Sequence, residues 1–311
     1  MKKYDVLAIG ELNVDLIMTG MKSMPLVGRE IIAEGFNVVM GSSTAICACG
    51  ISRLGLKTGF VGKTGRDSFG EVARKGLADY GISLDNVIVD EKIKTGITIS
   101  LSTRKDRALI TYLGSIDSLT LEDIDYSLLD QTRHIHIGSF FLQSKLRPGI
   151  AKLFSEAGKR GVTTSLDAGW DETMNWNYGI FEVLGATDIF FPNETEALNI
   201  TGKANTEDAL NMLSEYCGTV VVKCGPKGAL AKRATSLVKK GTYDNLKPVD
   251  TTGAGDSFNA GFIYGFLNGM SLEECMDYGN ACGSISVTRI GGSAACATLE
   301  EVKRLIKNGT L

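Results

Sequence analysis

The sequence has almost no charge imbalance, few histidines and no long apolar run, and each shortage removes a class of function. Its 33 Lys and Arg against 36 Asp and Glu leave a formal net charge of -3 with no long basic tract, so nucleic acid is not an expected partner. Only two histidines occur, His134 and His136; they alternate on a strand-like run and are expected to be structural rather than metal ligands. The seven cysteines are scattered, odd in number and without metal-ligand spacing, Cys47 and Cys49 standing only two apart. Reduced thiols in a cytoplasmic protein are the expectation from that usage. The opening run Met1-Lys2-Lys3-Tyr4-Asp5-Val6-Leu7-Ala8-Ile9-Gly10 is too short for a signal peptide or a membrane span. It reads as a first buried strand, and no membrane partner is expected. No internal repeat, low-complexity tract or Gly-x-Gly-x-x-Gly fingerprint is present. Gly62-Lys63-Thr64 has the tail of a P-loop, but Lys57 stands where the first glycine is required.

What is present is ordinary for a globular chain: 311 residues, 43% hydrophobic and 22% charged. That length fits two average domains or one large α/β domain with an appendage. Strand-like runs recur at Val6–Ile9, Thr58–Val61, Val87–Val89, Ile135–Ile137, Thr163–Leu166, Ile189–Phe191 and Val220–Val222. Helix-like stretches fall between several of them, at Thr44–Leu54, Ser68–Tyr80, Leu146–Arg160, Asn193–Ile200 and Thr206–Tyr216. Such alternation predicts a mostly parallel sheet covered on both faces, with ligands beyond the carboxyl ends of its strands. The last third turns helical, and Ala254, Phe258, Phe262 and Phe266 recur four apart on one helix face before a second helix, Leu272–Thr288.

Two stretches break the alternation. Residues 12–40 carry β-type segments at Leu16-Ile17-Met18, Ile31-Ile32-Ala33 and Val38-Val39-Met40, and residues 94–113 read as a hairpin around a charged turn, Thr103–Arg107. They make either a small β-sheet projecting as a lid or an extra edge of the main sheet. A lid matters wherever a group transfer must keep water from competing with the acceptor. The corresponding division is a main domain of residues 1–11, 41–93 and 114–311, and a lid of residues 12–40 and 94–113.

Asp250-Thr251-Thr252-Gly253-Ala254-Gly255-Asp256-Ser257-Phe258 sets two glycines and a carboxylate at the mouth of a long apolar helix. Backbone N–H groups at such an entry can approach an anion, and the helix N-terminus supplies partial positive charge. Asp256 stands where it can take a proton from a hydroxyl, which with the anion cradle is the equipment of phosphoryl transfer to an alcohol. Taken alone, the run is also compatible with nothing more than a capped helix start.

Extended to Asn259-Ala260-Gly261-Phe262, this run resembles the C-terminal signature of the ribokinase-like (PfkB) carbohydrate kinases. Further matches follow in order. Gly10-Glu11-Leu12-Asn13-Val14-Asp15 looks like that family's first strand and sugar-contacting turn, and Gly41-Ser42-Ser43-Thr44-Ala45 falls at its glycine-rich turn. Val61-Gly62-Lys63-Thr64-Gly65-Arg66-Asp67-Ser68-Phe69-Gly70, Asn193-Glu194-Thr195-Glu196 and Val222-Lys223-Cys224-Gly225-Pro226-Lys227-Gly228 resemble its later motifs. The resemblance implies a three-layer αβα fold with a mostly parallel central sheet plus a small β lid. It also implies ATP and Mg²⁺ as cofactors, and a homodimer through the lid.

Residue by residue, the resemblance carries over Asp256 as general base, in ionised form at its helix N-terminus, with Gly253, Ala254 and Gly255 forming the anion hole. Asp15 is the leading sugar ligand, with Asn13, Gly41, Ser42 and Gln143 as neighbours. Asn193 and Glu196, one helical turn apart, either orient Mg²⁺ through water or merely cap their helix. Lys223, Gly225, Gly228 and Asn280 fall on the nucleotide side, and Asp250 and Thr252 match a region where some relatives bind a monovalent cation such as K⁺. Ile46 stands where the family commonly has a sugar-contacting asparagine, which argues against ribose as acceptor. Asp167 either faces the phosphates or substrate, or caps the turn after its strand. Trp170 and Trp176 either stack on a sugar or, the better expectation, pack. The implied activity is ATP-dependent phosphorylation of a primary hydroxyl of a small sugar or sugar acid, like ribose, fructose or 2-keto-3-deoxygluconate. A nucleoside acceptor, and a sugar-binding regulator without turnover, remain the alternatives.

Overall fold

The computed structural model describes residues 2–103, 107–243 and 245–310. Its strands are β1 (Tyr4–Ile9), β2 (Asn13–Met21), β3 (Gly35–Met40), β4 (Thr58–Gly65), β5 (Val87–Asp90), β6 (Gly96–Thr103), β7 (Arg107–Tyr112), β8 (Thr132–Ile137), β9 (Thr163–Leu166), β10 (Ile189–Phe190), β11 (Thr219–Lys223), β12 (Ala229–Arg233) and β13 (Ser236–Lys240). The helices are α1 (Ser43–Arg53), α2 (Ser68–Asp79), α3 (Ser127–Asp130), α4 (Arg147–Lys159), α5 (Ile180–Leu184), α6 (Glu194–Thr201), α7 (Thr206–Leu213), α8 (Ala254–Leu267), α9 (Leu272–Ser286) and α10 (Leu299–Asn308).

Among the described residues the larger sheet has nine strands, in the order β13-β12-β11-β10-β9-β8-β1-β4-β5. From β11 to β5 all neighbours run parallel, and these are the strands legible as apolar runs in the sequence. Only the β11–β12–β13 edge is antiparallel. Strand β1 lies between β4 and β8, so the chain leaves it first to one side and later to the other. Such a switch opens a crevice at the strands' carboxyl ends, here just beyond Ile9.

The alternation of side chains along β1 shows how the two faces are filled. Leu7 and Ile9 enter a core with Ile135, Ile137, Leu153, Phe154 and Leu213, beneath α4 and α7. Val6 points the other way, into a core with Ile51 of α1, Phe258 and Phe262 of α8 and Met276 of α9. Phe266 is half-buried against the same cluster, so the three phenylalanines spaced four apart share one core, while α8 as a whole is buried all round from Ser257 to Ile263. Helix α9 packs closely on α8 because Gly279 and Gly283 meet Phe258 and the Ala254 carbonyl, where a side chain would not fit without displacement.

Residues 12–40 and 94–113 do not extend the main sheet; their strands form a separate sheet in the order β3-β2-β6-β7. β6 and β7 pair antiparallel as the expected hairpin, while positions 104–106 of its charged turn lie outside the described residues. The expectation of a strand at Ile31-Ile32-Ala33 is wrong: this run lies in the loop between β2 and β3 with Ile32 exposed, because no neighbouring strand offers it hydrogen bonds. No helix among the described residues is long and apolar enough to cross a membrane. All seven cysteines are buried and unpaired.

Candidate active site

The start of α8 is built by glycine. Gly253 has φ 73°, and a Cβ there would lie 2.8 Å from Gly292 Cα and 3.1 Å from Ile46 Cγ2. Backbone conformation and lack of space therefore both require glycine. Asp250 braces the turn from below: its Oδ1 accepts from Thr252 N at 2.9 Å and its Oδ2 from Gly291 N at 2.9 Å. Ile46 packs against Gly253 and Gly292 and shapes the turn with apolar contact.

Asp256, in the first turn of α8, faces a cavity of about 190 Å³ at the mouth of the β1 crevice. Its floor includes Glu11, Ser43, Ser139 and Gly253, and the second sheet contributes Asn13, Asp15, Ile17, Thr98, Ser100, Leu109 and Thr111. Asp256 opens to this cavity but is enclosed by protein elsewhere. Burial first, then the negative charge of Asp167, pushes its carboxyl up to about 7, with the Ser43 hydrogen bond and Lys223 opposing. The net direction runs against the expectation that the helix N-terminus favours the ionised form, because burial and the Asp167 charge both raise the carboxyl. A group poised near neutrality is suited to accept a proton in turnover.

Behind the anion-hole turn lies an arrangement the sequence reading left unresolved. Lys223, at the end of β11, donates from Nζ to Asp167 Oδ2 at 2.6 Å and to Asn259 Oδ1 at 3.2 Å. Asn259 Nδ2 also donates to Asp167 Oδ2 at 2.8 Å, closing the triangle. A Cβ on Gly255 would lie 3.4 Å from Lys223 Nζ, so the cation sits directly against the first turn of α8. Burial opposes the charge on both partners. Their mutual attraction overrides it, keeping Lys223 raised and Asp167 lowered. Of the two roles considered for Asp167, the structure shows the cap of the turn after its strand, Oδ1 accepting from Gly169 N at 3.1 Å, while Oδ2 is taken by Lys223 and Asn259.

The expected sugar-side residues are gathered with one exception. Asn13 Nδ2 donates to Asp15 Oδ1 at 3.1 Å, orienting that carboxylate at the cavity wall. Gly41 packs onto the same carboxylate, where any side chain would collide. Ser42 lines the cavity, but Gln143 lies one layer behind it: its Nε2 donates to Gly138 O, and its amide fills the space beside Gly10. Trp176 is buried edge-on against Phe141 and Trp170, whereas Trp170 is half exposed. His134 and His136 are buried beside Ser165, and burial pushes them down to about 3 and about 4, so both are neutral packing groups.

On the opposite side, Asn193 and Glu196 form a reciprocal cap: Asn193 Oδ1 accepts from Glu196 N at 2.9 Å, and Glu196 Oε2 from Asn193 N at 2.8 Å. Burial, then the Asp167 charge, pushes Glu196 up to about 8. The glycines differ in purpose. Space over Gly225 (φ 56°) is open, while a Cβ on Gly228 (φ 89°) would strike the Lys240 carbonyl, so glycine is required where the chain enters β12 beside the end of β13. Asn280 on α9 is buried with its Nδ2 unpartnered in the protein, a donor set aside for a ligand or water. Glu11, Ser43 and Asn259 carry site contacts that the sequence alone does not assign. All lay inside quoted motifs, which was the available signal.

Residues 3–299 match the pfkB family carbohydrate kinase description. A 5-dehydro-2-deoxygluconokinase of Listeria monocytogenes is 28% identical over 322 residues, 98% of this chain and 96% of the relative. A sugar kinase of Archaeoglobus fulgidus is 31% identical over 246 residues, 78% of this chain and 96% of its own. The crystal structure of an Escherichia coli protein described as ribokinase II, in complex with ATP and Mg²⁺, superposes with a TM-score of 0.86 at 26% identity, over 98% of this chain and 99% of that one.

Proposed function

The chain belongs to the pfkB family of carbohydrate kinases, and from that premise we propose that it phosphorylates a primary hydroxyl of a small sugar or sugar acid at the expense of ATP. The observation that carries this reading is Asp256 facing, across one small cavity, the Asp15 carboxylate, with Lys223 held against the anion hole behind it. The cavity falls below the roughly 300–1,000 Å³ of drug-sized sites, which favours a monosaccharide-sized acceptor over a nucleoside. The relative named 5-dehydro-2-deoxygluconokinase makes 5-dehydro-2-deoxygluconate the first acceptor to try.

In this reading Asp15 accepts from acceptor hydroxyls and fixes which one reaches Asp256. Asp256 takes that hydroxyl's proton, and the N–H groups of Ala254, Gly255 and Asp256 stabilise charge on the transferring group. Lys223 adds a fixed cation behind them, held in place by Asp167 and Asn259. The β3-β2-β6-β7 sheet acts as the lid, excluding water with Leu109 and Ile17. We place the homodimer contact on this same sheet.

The donor set fits a hydrated Mg²⁺. No group of three metal-ligating side chains occurs among the described residues, so a divalent ion here would keep its waters and lean on Glu196 and Asn193. When bound, Mg²⁺ supplies neutralisation of phosphate charge. Asp250, with its neighbour Thr252, is the place for an optional K⁺.

The test is an acceptor panel with ATP and Mg²⁺: 5-dehydro-2-deoxygluconate, 2-keto-3-deoxygluconate, fructose, ribose, inosine and adenosine, followed by ADP release. Turnover with a sugar or sugar acid is expected. Turnover with the nucleosides alone would replace this reading.

A further inference from the structure

Among the described residues, Asp256 has one side-chain hydrogen bond, and it comes from a residue 213 positions earlier. Ser43, the first residue of α1, donates from Oγ to Asp256 Oδ1 at 2.5 Å, and both residues line the cavity. Building on the assignment of Asp256 as base, we propose that Ser43 is a positioning residue that holds one oxygen of the Asp256 carboxylate so that the other faces the acceptor hydroxyl.

The turn that presents Ser43 is fixed on both sides. Ser42 adopts φ 77°, a conformation that costs energy for any residue with a Cβ. Two hydrogen bonds hold it there: Ser42 Oγ donates to the Glu11 carbonyl at 2.5 Å and accepts from Ala45 N at 3.0 Å. On the other side, the buried Glu11 carboxylate accepts from Thr44 N at 3.1 Å and from Thr44 Oγ1 at 2.5 Å. Thr44 Oγ1 in turn accepts from Gly138 N at 3.2 Å, tying the turn to the end of β8. Glu11 thus clamps the residues before and after Ser43 and does not itself bond to Asp256. The strain at Ser42 is borne where it delivers a hydroxyl to the base.

The chemistry needs such a restraint. A carboxylate turning about its Cβ–Cγ bond presents either oxygen, or neither, to an acceptor, and small misplacements cost large rate factors. In the transfer, the acceptor O–H bond breaks and its proton passes to the free Asp256 oxygen. The acceptor oxygen forms its bond to the γ-phosphorus as the β,γ-bridging P–O bond breaks, and ADP leaves. A hydroxyl donating to Oδ1 also favours the ionised carboxylate, against the other groups around it. Asp167 of β9 and Glu11 beyond β1 raise its proton affinity, and Lys223 of β11 lowers it. Glu196 of α6, Cys47 of α1 and Cys296 also interact with it.

The experiment compares Ser43→Ala and Ser43→Thr in the full-length enzyme, using the best acceptor from the panel, with Asp256→Asn measured in parallel. Ser43→Ala should lower kcat by about 10- to 100-fold with the acceptor KM within about threefold. Its acid limb in kcat/KM should move to higher pH, and Ser43→Thr should recover most of kcat and the original limb. Wild-type kcat with an unmoved limb in Ser43→Ala overturns the proposal. So does a fall in kcat with an unmoved limb and no recovery by threonine, which marks a merely structural role. If Asp256→Asn itself turns over like wild type, the base assignment fails, which is a separate outcome from failure at Ser43 alone.

Discussion

Lys223 Nζ lies 2.6 Å from Asp167 Oδ2 immediately behind Gly255, so the first turn of α8 is backed by a full positive charge from strand β11. Both side chains are nearly buried, at 13% and 7% exposure, and neither could keep its charge there alone.

Lys223→Met should therefore do two things. It leaves Asp167 buried without its cation, a loss of about 3–5 kcal/mol when one partner of such a pair is removed. It also strips the anion hole of its backing charge, and kcat should fall by about 10²-fold or more. Urea unfolding and steady-state turnover check both, and wild-type values in either would mean that Lys223 does not serve that part of the account.

Asp15→Asn should raise the acceptor KM by about 10-fold or more while leaving the KM for ATP nearly unchanged. Asp15 lines the same cavity as Asp256 and is oriented by Asn13 Nδ2, with Gly41 packed behind it. Initial-rate kinetics varying each substrate in turn separates the two constants. An equal rise in both would place Asp15 elsewhere in the cycle.

The raised carboxyl of Asp256 makes stability depend on pH with a definite sign. Its folded value of about 7 lies above the ordinary 3.8, so the folded chain holds this proton more tightly than the unfolded one. The stability it contributes is whole below about pH 4, declines as pH rises through the window to about 7, and is lost above it. Asp256→Asn, which carries no titratable proton, should therefore melt progressively higher than wild type as pH rises from 5 to 8 without ligands. A melting difference that does not vary with pH would contradict the raised value.

Much of the fold was legible because the parallel strands of an α/β sheet are buried on both faces and appear as unbroken apolar runs. The β12–β13 hairpin escaped because its strands, Ala-Leu-Ala-Lys-Arg and Ser-Leu-Val-Lys-Lys, form the charged edge of the sheet and carry no such run. Ile31-Ile32-Ala33 misled for the opposite reason: it has strand composition but no partner. At the site, Asp256 and Asp15 stood out within motifs, whereas Ser43, Glu11 and Asn259 act through contacts that join distant parts of the chain. Ser43 reaches Asp256 across 213 residues and Asn259 reaches Asp167 across 92, distances over which one sequence carries no pairing signal. The protonation of Asp256 was misjudged because local position reports the helix dipole, while burial is set by the whole fold.

Asp256→Asn tests the central claim most directly, measured as kcat and KM with ATP, Mg²⁺ and the best acceptor from the panel, alongside thermal melting. The expected result is a fall in kcat of about 10²–10⁴-fold, with both KM values within a few fold and a cooperative melt retained. Wild-type turnover by a folded Asp256→Asn enzyme would contradict the assignment of this carboxylate as the base.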